Sequence, residues 1–143
     1  MMKSVGKTIV LLTLGILLAA CSLQSEERKK GELVRIDVQQ VEENGTKSEE
    51  QIVTDPDDLD AARKAIGNTE WRPNKELEMK RAEDTVATFF YRKDENMPES
   101  LTEYRIWFEE DDSATLFSND EEERYGKLNP ENGQILKNLF WEN

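Results

Sequence analysis

The chain has 143 residues, 31 acidic and 19 basic side chains, a net charge of −12 and no histidine. So acidic a chain is repelled by nucleic acid and by anionic lipid headgroups, which excludes a nucleic-acid-binding role. Without histidine, and with one cysteine, Ser-His-Asp catalysis, Cys-His catalysis and His-based zinc sites cannot be assembled.

Residues 1–7 carry Lys3 and Lys7 and no acid; an apolar run over 9–20 follows, broken only by Thr13 and Gly15. A charged start ahead of a short apolar stretch is the plan of a secretory signal. A dozen helical residues reach about 18 Å, short of a hydrocarbon core of about 30 Å, so a transmembrane span is the weaker reading. The run ends in Leu18-Ala19-Ala20-Cys21, which resembles the lipobox of bacterial lipoproteins. That resemblance implies cleavage between Ala20 and Cys21 and a diacylglyceryl group on the Cys21 sulfur, two acyl chains being enough for lasting attachment. It also implies a location on the outer face of the cell membrane. As the sole cysteine, Cys21 has no disulfide partner in the chain.

Three segments are expected: a cleaved leader at 1–20, a polar, flexible tether at 21–31, and a single domain at 32–143. Loss of Lys3 and Lys7 with the leader takes the net charge to −14. Solubility accounts for such acidity; cation binding or a basic protein partner would also use it.

Residues 33–41 alternate, with Val34, Ile36 and Val38 on one face and Arg35, Asp37 and Gln39 on the other, as in a half-buried strand. Asn44-Gly45 predicts a two-residue type I′ hairpin turn that sets Ile36 opposite Val53. Asp55 then caps a helix with Pro56 in its first turn, Leu59, Ala62 and Ile66 as its apolar stripe and Gly67 beyond its end. Residues 68–84 are not readable as helix or strand, although Trp71 before Arg72-Pro73 lies in an extended or turning stretch. Strands are expected at 85–92 (central, apolar on both faces), 101–109 and 113–118, the last two joined by the acidic turn Glu110-Asp111-Asp112. Asn129-Pro130 opens a closing helix whose buried stripe is Ile135, Leu136, Leu139 and Phe140. The order β-β-α-β-β-β-α predicts an α+β domain, an antiparallel sheet of about five strands with two helices on one face.

Candidate chemistry is sparse. There is no GxGxxG fingerprint and no P-loop, and no cofactor, metal site or catalytic residue is expected. Carboxylates alone can serve a hydrolase, but no two acids are bound to converge. The runs Asp55-Asp57-Asp58-Asp60, Glu109-Glu110-Asp111-Asp112 and Asp120-Glu121-Glu122-Glu123 are rich in calcium-type oxygens, yet none matches an EF-hand loop. Trp107 and Arg105 are the candidate partner contact, because they fall on the sheet face turned away from the helices. The competing reading, which is favoured, is that residues 68–84 cover that face and bury Trp107 against Trp71.

Trp71, the strand Tyr104-Arg105-Ile106-Trp107-Phe108 and the run Tyr125-Gly126-Lys127-Leu128 before the last helix are similar to the small YhfM-like lipoproteins of Gram-positive, spore-forming bacteria. That resemblance implies an envelope location and a compact domain, and it carries over no catalytic residue. The functional expectation is a membrane-anchored, monomeric binding or interaction domain with a protein or cell-wall partner. A carboxylate-only hydrolase and a calcium-responsive module are the alternatives.

Overall fold

The structure is a computed structural model that describes residues 30–142. The leader, Cys21 and the tether up to residue 29 lie outside the described residues. Seven strands and two helices follow in the order β1 (Glu32–Gln40), β2 (Gln51–Val53), α1 (Pro56–Gly67), β3 (Glu70–Trp71), β4 (Thr85–Arg92), β5 (Ser100–Phe108), β6 (Ala114–Ser118), β7 (Tyr125–Leu128) and α2 (Pro130–Trp141). One antiparallel sheet contains all the strands, in the spatial order β2-β1-β4-β5-β6-β7-β3. The fold is α+β, with seven strands rather than five. The two unforeseen strands, β3 and β7, pair with each other at one edge, Glu70 opposite Lys127 and Trp71 opposite Gly126.

One core joins both helices to one sheet face: Ile36, Phe89, Tyr104, Ile106 and Leu116 meet Leu59, Ala62 and Ile66 of α1 and Leu136 and Phe140 of α2. Full burial of a side chain such as Leu136 or Phe140 is worth about 1.5–3 kcal/mol. In α2 the stripe differs from the expected one. Gly133, Leu136 and Phe140 are buried, whereas Ile135 is exposed.

In β1, Leu33 takes the core position because the register shifts between Leu33 and Arg35, and the bulge displaces Val34 from the row of Ile36 and Val38. Ile36 does lie opposite Val53, but the turn is not type I′. The Gly45 N–H donates to the Glu42 carbonyl, the Glu42 N–H to the Thr46 carbonyl, and only Gly45 is left-handed, at φ 84°. This is a type I turn closed by a G1 bulge. The hairpin closes with Val41 opposite Lys47, and unpaired residues 49–50 restore the register before β2.

Helix α1 begins as expected, the Asp55 carboxylate accepting the N–H groups of Asp57 and Asp58. Its end is closed by Asn68, not by a left-handed Gly67: the Asn68 N–H reaches Ala65 O and its Nδ2 donates to Lys64 O at 3.0 Å. No helix among the described residues is long and apolar enough to cross a membrane.

Candidate functional site

Residues 72–84 run as an irregular arm from β3 at the sheet edge to β4 in its centre, crossing the face opposite the helices. The arm is pinned at its second half. Asp84 accepts the Phe108 N–H at 2.7 Å and pairs with Arg81 at 2.7 Å, while the Arg81 guanidinium also donates to Phe108 O. Burial of Trp107 follows, because its indole Nε1 donates to the Arg81 carbonyl at 3.0 Å and the side chain is only 1% exposed. Trp107 is therefore not an exposed partner contact. Neither does it meet Trp71, which stacks on Tyr104 on the core face, centroids 6.0 Å apart. The ring beside Trp107 is Phe117, at 4.9 Å.

Arg105 remains at the surface. Its guanidinium sits over Trp107, 5.2 Å from the ring centroid, and bonds Glu83 of the arm at 2.9 Å. That hydrogen bond is the main reason the Glu83 carboxyl is held below its ordinary ionisation range.

Where the first half of the arm passes over β5–β7 it leaves a cleft of about 400 Å³. Phe117 and Tyr125 line its inner side, their rings edge-to-face at 5.8 Å. Leu77 and Lys75 come from the arm, with the Lys75 ammonium 5.5 Å from the Tyr125 centroid. Glu76 of the arm, Glu103 and Arg105 of β5, and Ser118, Asn119 and Arg124 at the β6–β7 turn complete the wall. The sequence placed Arg105 on the sheet face opposite the helices, where this cleft lies. It missed Phe117, Lys75 and Arg124, since nothing in the pattern of 68–84 told where the arm would lie.

A second cluster sits where the chain enters the domain. Tyr104 is fully buried, and its hydroxyl donates to the Glu123 carboxylate at 3.0 Å. Glu123 also accepts from the Ser118 hydroxyl at 2.9 Å and from the Lys30 ammonium at 2.8 Å. Lys30 thus contacts the sheet, and Gly31 packs its backbone against the Arg92 carbonyl at φ 92°. Burial, then neighbouring Tyr91 and Glu123, push the Tyr104 phenol well above its ordinary range, so it stays protonated and acts as a donor.

The acidic runs acquire structural uses. In 120–123, Glu123 serves the Tyr104 cluster and Asp120 accepts the Glu122 N–H in the turn. Asp60 is engaged by Arg63 and Lys64, and Asp111 accepts the Ser113 N–H in the β5–β6 turn. No group of three or more ligating side chains arranged for a metal occurs among the described residues. An open groove of about 1010 Å³ between α1 and the start of β1 is walled by Leu33, Leu59, Arg63 and Arg92. It has no aromatic lining. No protein-family model, curated protein or solved structure matches the chain.

Proposed function

We propose that this protein is a lipoprotein held on the outer face of the cell membrane through acyl chains on Cys21, and that its domain is a non-catalytic binding module. The run Leu18-Ala19-Ala20-Cys21 behind a charged leader carries the location. The polar, charged run over 22–29 separates Cys21 from the domain, which lets an acidic body stand off anionic lipid. The cleft under the arm, aromatic within and polar at its rim, carries the binding role, because small-ligand sites combine an apolar lining with a few placed polar groups. The state of the acids supports a non-catalytic reading over a carboxylate hydrolase. Asp60 is held by Lys64 and Arg63, Glu83 by Arg105 and Asp111 by Ser113, contacts that lower the ionisation of each, whereas a general acid needs an upward displacement. The structural uses of Asp120 and Glu123 weigh against a calcium module in the same way.

Mass spectrometry of the protein from its native membranes tests the anchor. A mature N-terminus at residue 21 bearing a diacylglyceryl group is expected, as is loss of membrane retention and processing in Cys21→Ala. An unmodified Cys21, or a retained leader, would overturn the location.

A further inference from the structure

We infer that the turn at Asn44-Gly45 is a site of spontaneous covalent modification. The Gly45 backbone nitrogen displaces ammonia from the Asn44 side-chain amide, and hydrolysis of the resulting succinimide leaves aspartate or isoaspartate at the tip of the β1–β2 hairpin. No ligand or partner is needed.

The chain carries its own comparison, because the same tripeptide occurs as Glu43-Asn44-Gly45 and as Glu131-Asn132-Gly133. A glycine after asparagine hinders this ring closure least, since no side chain shields the attacking nitrogen and the backbone turns freely. The two asparagines share both neighbours. What separates them is the next residue, Thr46 against Gln134, and the fold.

At the hairpin the amide is open to attack. Residues 42–50 are all exposed, and nothing lies within 4 Å of the place a β-carbon on Gly45 would take. A five-membered ring has room to form there, and ammonia leaves into water. Asn44 Oδ1 accepts the Thr46 N–H at 2.9 Å. This Asx turn folds the side-chain carbonyl back along the chain past the Gly45 nitrogen, and it offers a donor to the oxygen that gains charge as nitrogen adds. The Gly45 N–H must first leave the Glu42 carbonyl, which it reaches at 2.8 Å. That bond sits in a solvated loop beyond the bridge between Val41 and Lys47, where local opening costs little.

At the start of α2 the same tripeptide is held. Asn132 Nδ2 donates to Asn129 Oδ1 at 2.9 Å, its Oδ1 accepts from Asn68 Nδ2 at 3.4 Å, and the Gly133 N–H donates to the Asn129 carbonyl at 2.8 Å. Gly133 is buried, and the Asp112 carbonyl takes the space beside it. Swinging the Asn132 amide onto the Gly133 nitrogen would unwind the first turn of α2 and part it from the β5–β6 turn, a much larger opening.

In the first step the Asn44 Cγ–Nδ2 bond breaks as the bond from Gly45 N to Cγ forms; the amide proton of Gly45 departs through water with the ammonia. Water then adds to one ring carbonyl. Breaking the bond from nitrogen to Cγ gives aspartate. Breaking the bond from nitrogen to the Asn44 main-chain carbonyl gives isoaspartate, whose main chain runs through Cγ and is longer by one methylene. Water is the only co-reactant.

The test ages the detergent-solubilised full chain in mildly alkaline buffer, with a second sample in guanidinium chloride, and maps both by mass spectrometry with fragmentation that separates isoaspartate from aspartate. In the folded chain Asn44 should convert at least about tenfold faster than Asn132; in denaturant the two rates should come together. Asn44→Gln, whose longer side chain disfavours ring closure, should leave the hairpin peptide unconverted. Equal rates at the two sites in the folded chain, an Asn44 that stays intact while the denatured chain converts, or conversion of the hairpin peptide in Asn44→Gln would each overturn the inference. A preference for Asn44 that persists in denaturant would also overturn it, by assigning the difference to Thr46 against Gln134 and not to the fold.

Discussion

The carbonyl oxygen of Asp112, at the tip of the β5–β6 turn, occupies the space that a β-carbon on Gly133 would need. Helix α2 can lie this close to the hairpin only because its fourth residue has no side chain. Exchange for alanine ordinarily favours a helix interior by up to about 1 kcal/mol. Here the added methyl group must push a backbone, not a flexible side chain, and overpacking of that sort costs about 1–3 kcal/mol. Gly133→Ala should therefore lower stability to urea or heat despite its better helix propensity. A stabilised variant would mean that α2 and the turn separate readily.

A ring of hydrogen bonds fastens the other end of α2. The Trp141 indole donates to the Thr85 hydroxyl at 2.9 Å, Thr85 donates to Gln40 Oε1 at 3.0 Å, and Gln40 Nε2 donates to the Phe140 carbonyl at 2.7 Å. Thr85 is fully buried at the centre of this relay. Thr85→Val keeps the shape and leaves the indole N–H and the Gln40 oxygen without their partner, a loss of about 1–3 kcal/mol. Chemical denaturation measures it, and Trp141 fluorescence should redden as the ring turns toward water.

What the sequence made legible was whatever depended on local alternation or capping. Ile36 opposite Val53 follows from matching two apolar rows, and the Asp55 cap from its place before Pro56. The register survived a wrong turn type because unpaired residues 49–50 offset the G1 bulge at Gly45, a compensation invisible to pattern. Strands β3 and β7 were hidden for a different reason. Two residues show no period, and Gly126 breaks the alternation of β7 so that the Thr69 and Trp71 side chains can pack against its backbone. The cleft was illegible because the arm is held by side chain-to-backbone bonds, Trp107 to Arg81 O and Phe108 N to Asp84, that have no sequence signature. Arg105 was singled out, but its neighbours Lys75 and Arg124 lie 30 and 19 positions away along the chain.

The arm's hold on the sheet should weaken in acid. Glu83 is held below its ordinary value of 4.5, chiefly by the hydrogen bond from Arg105. A carboxyl whose folded value is depressed contributes stability that is fully present above the unfolded value and is lost as pH falls through the folded one. The contribution is modest because Arg105 is substantially exposed and the pair is screened. Hydrogen exchange across 80–84 should accelerate below about pH 4.5 before the core strands respond. Glu83→Gln should show that faster exchange already at neutral pH and no further acid step. An arm equally protected in both variants at all pH values would show that Trp107 and Asp84 hold it without the ion pair.

Tyr104 sets the alkaline limit. Burial is the chief cause that raises its phenol well above 10, with Tyr91 and Glu123 adding to it. A group whose folded value is raised stabilises the protein fully below its unfolded value, and that stability disappears as pH climbs through the folded one. Stability should therefore fall above about pH 10. Near-ultraviolet absorbance should show one tyrosine ionising only together with unfolding. Tyr104→Phe removes the alkaline dependence but also leaves Glu123 without the hydroxyl that faces it at 3.0 Å, with Ser118 and Lys30 still in place. The expected cost at neutral pH is about 1–3 kcal/mol, in the range for a hydrogen bond to a charged acceptor. Pairing Tyr104→Phe with Glu123→Gln separates the causes: the double variant should lose less than the two single losses added together. Simple additivity would place Glu123 outside the network that holds Lys30 to the sheet.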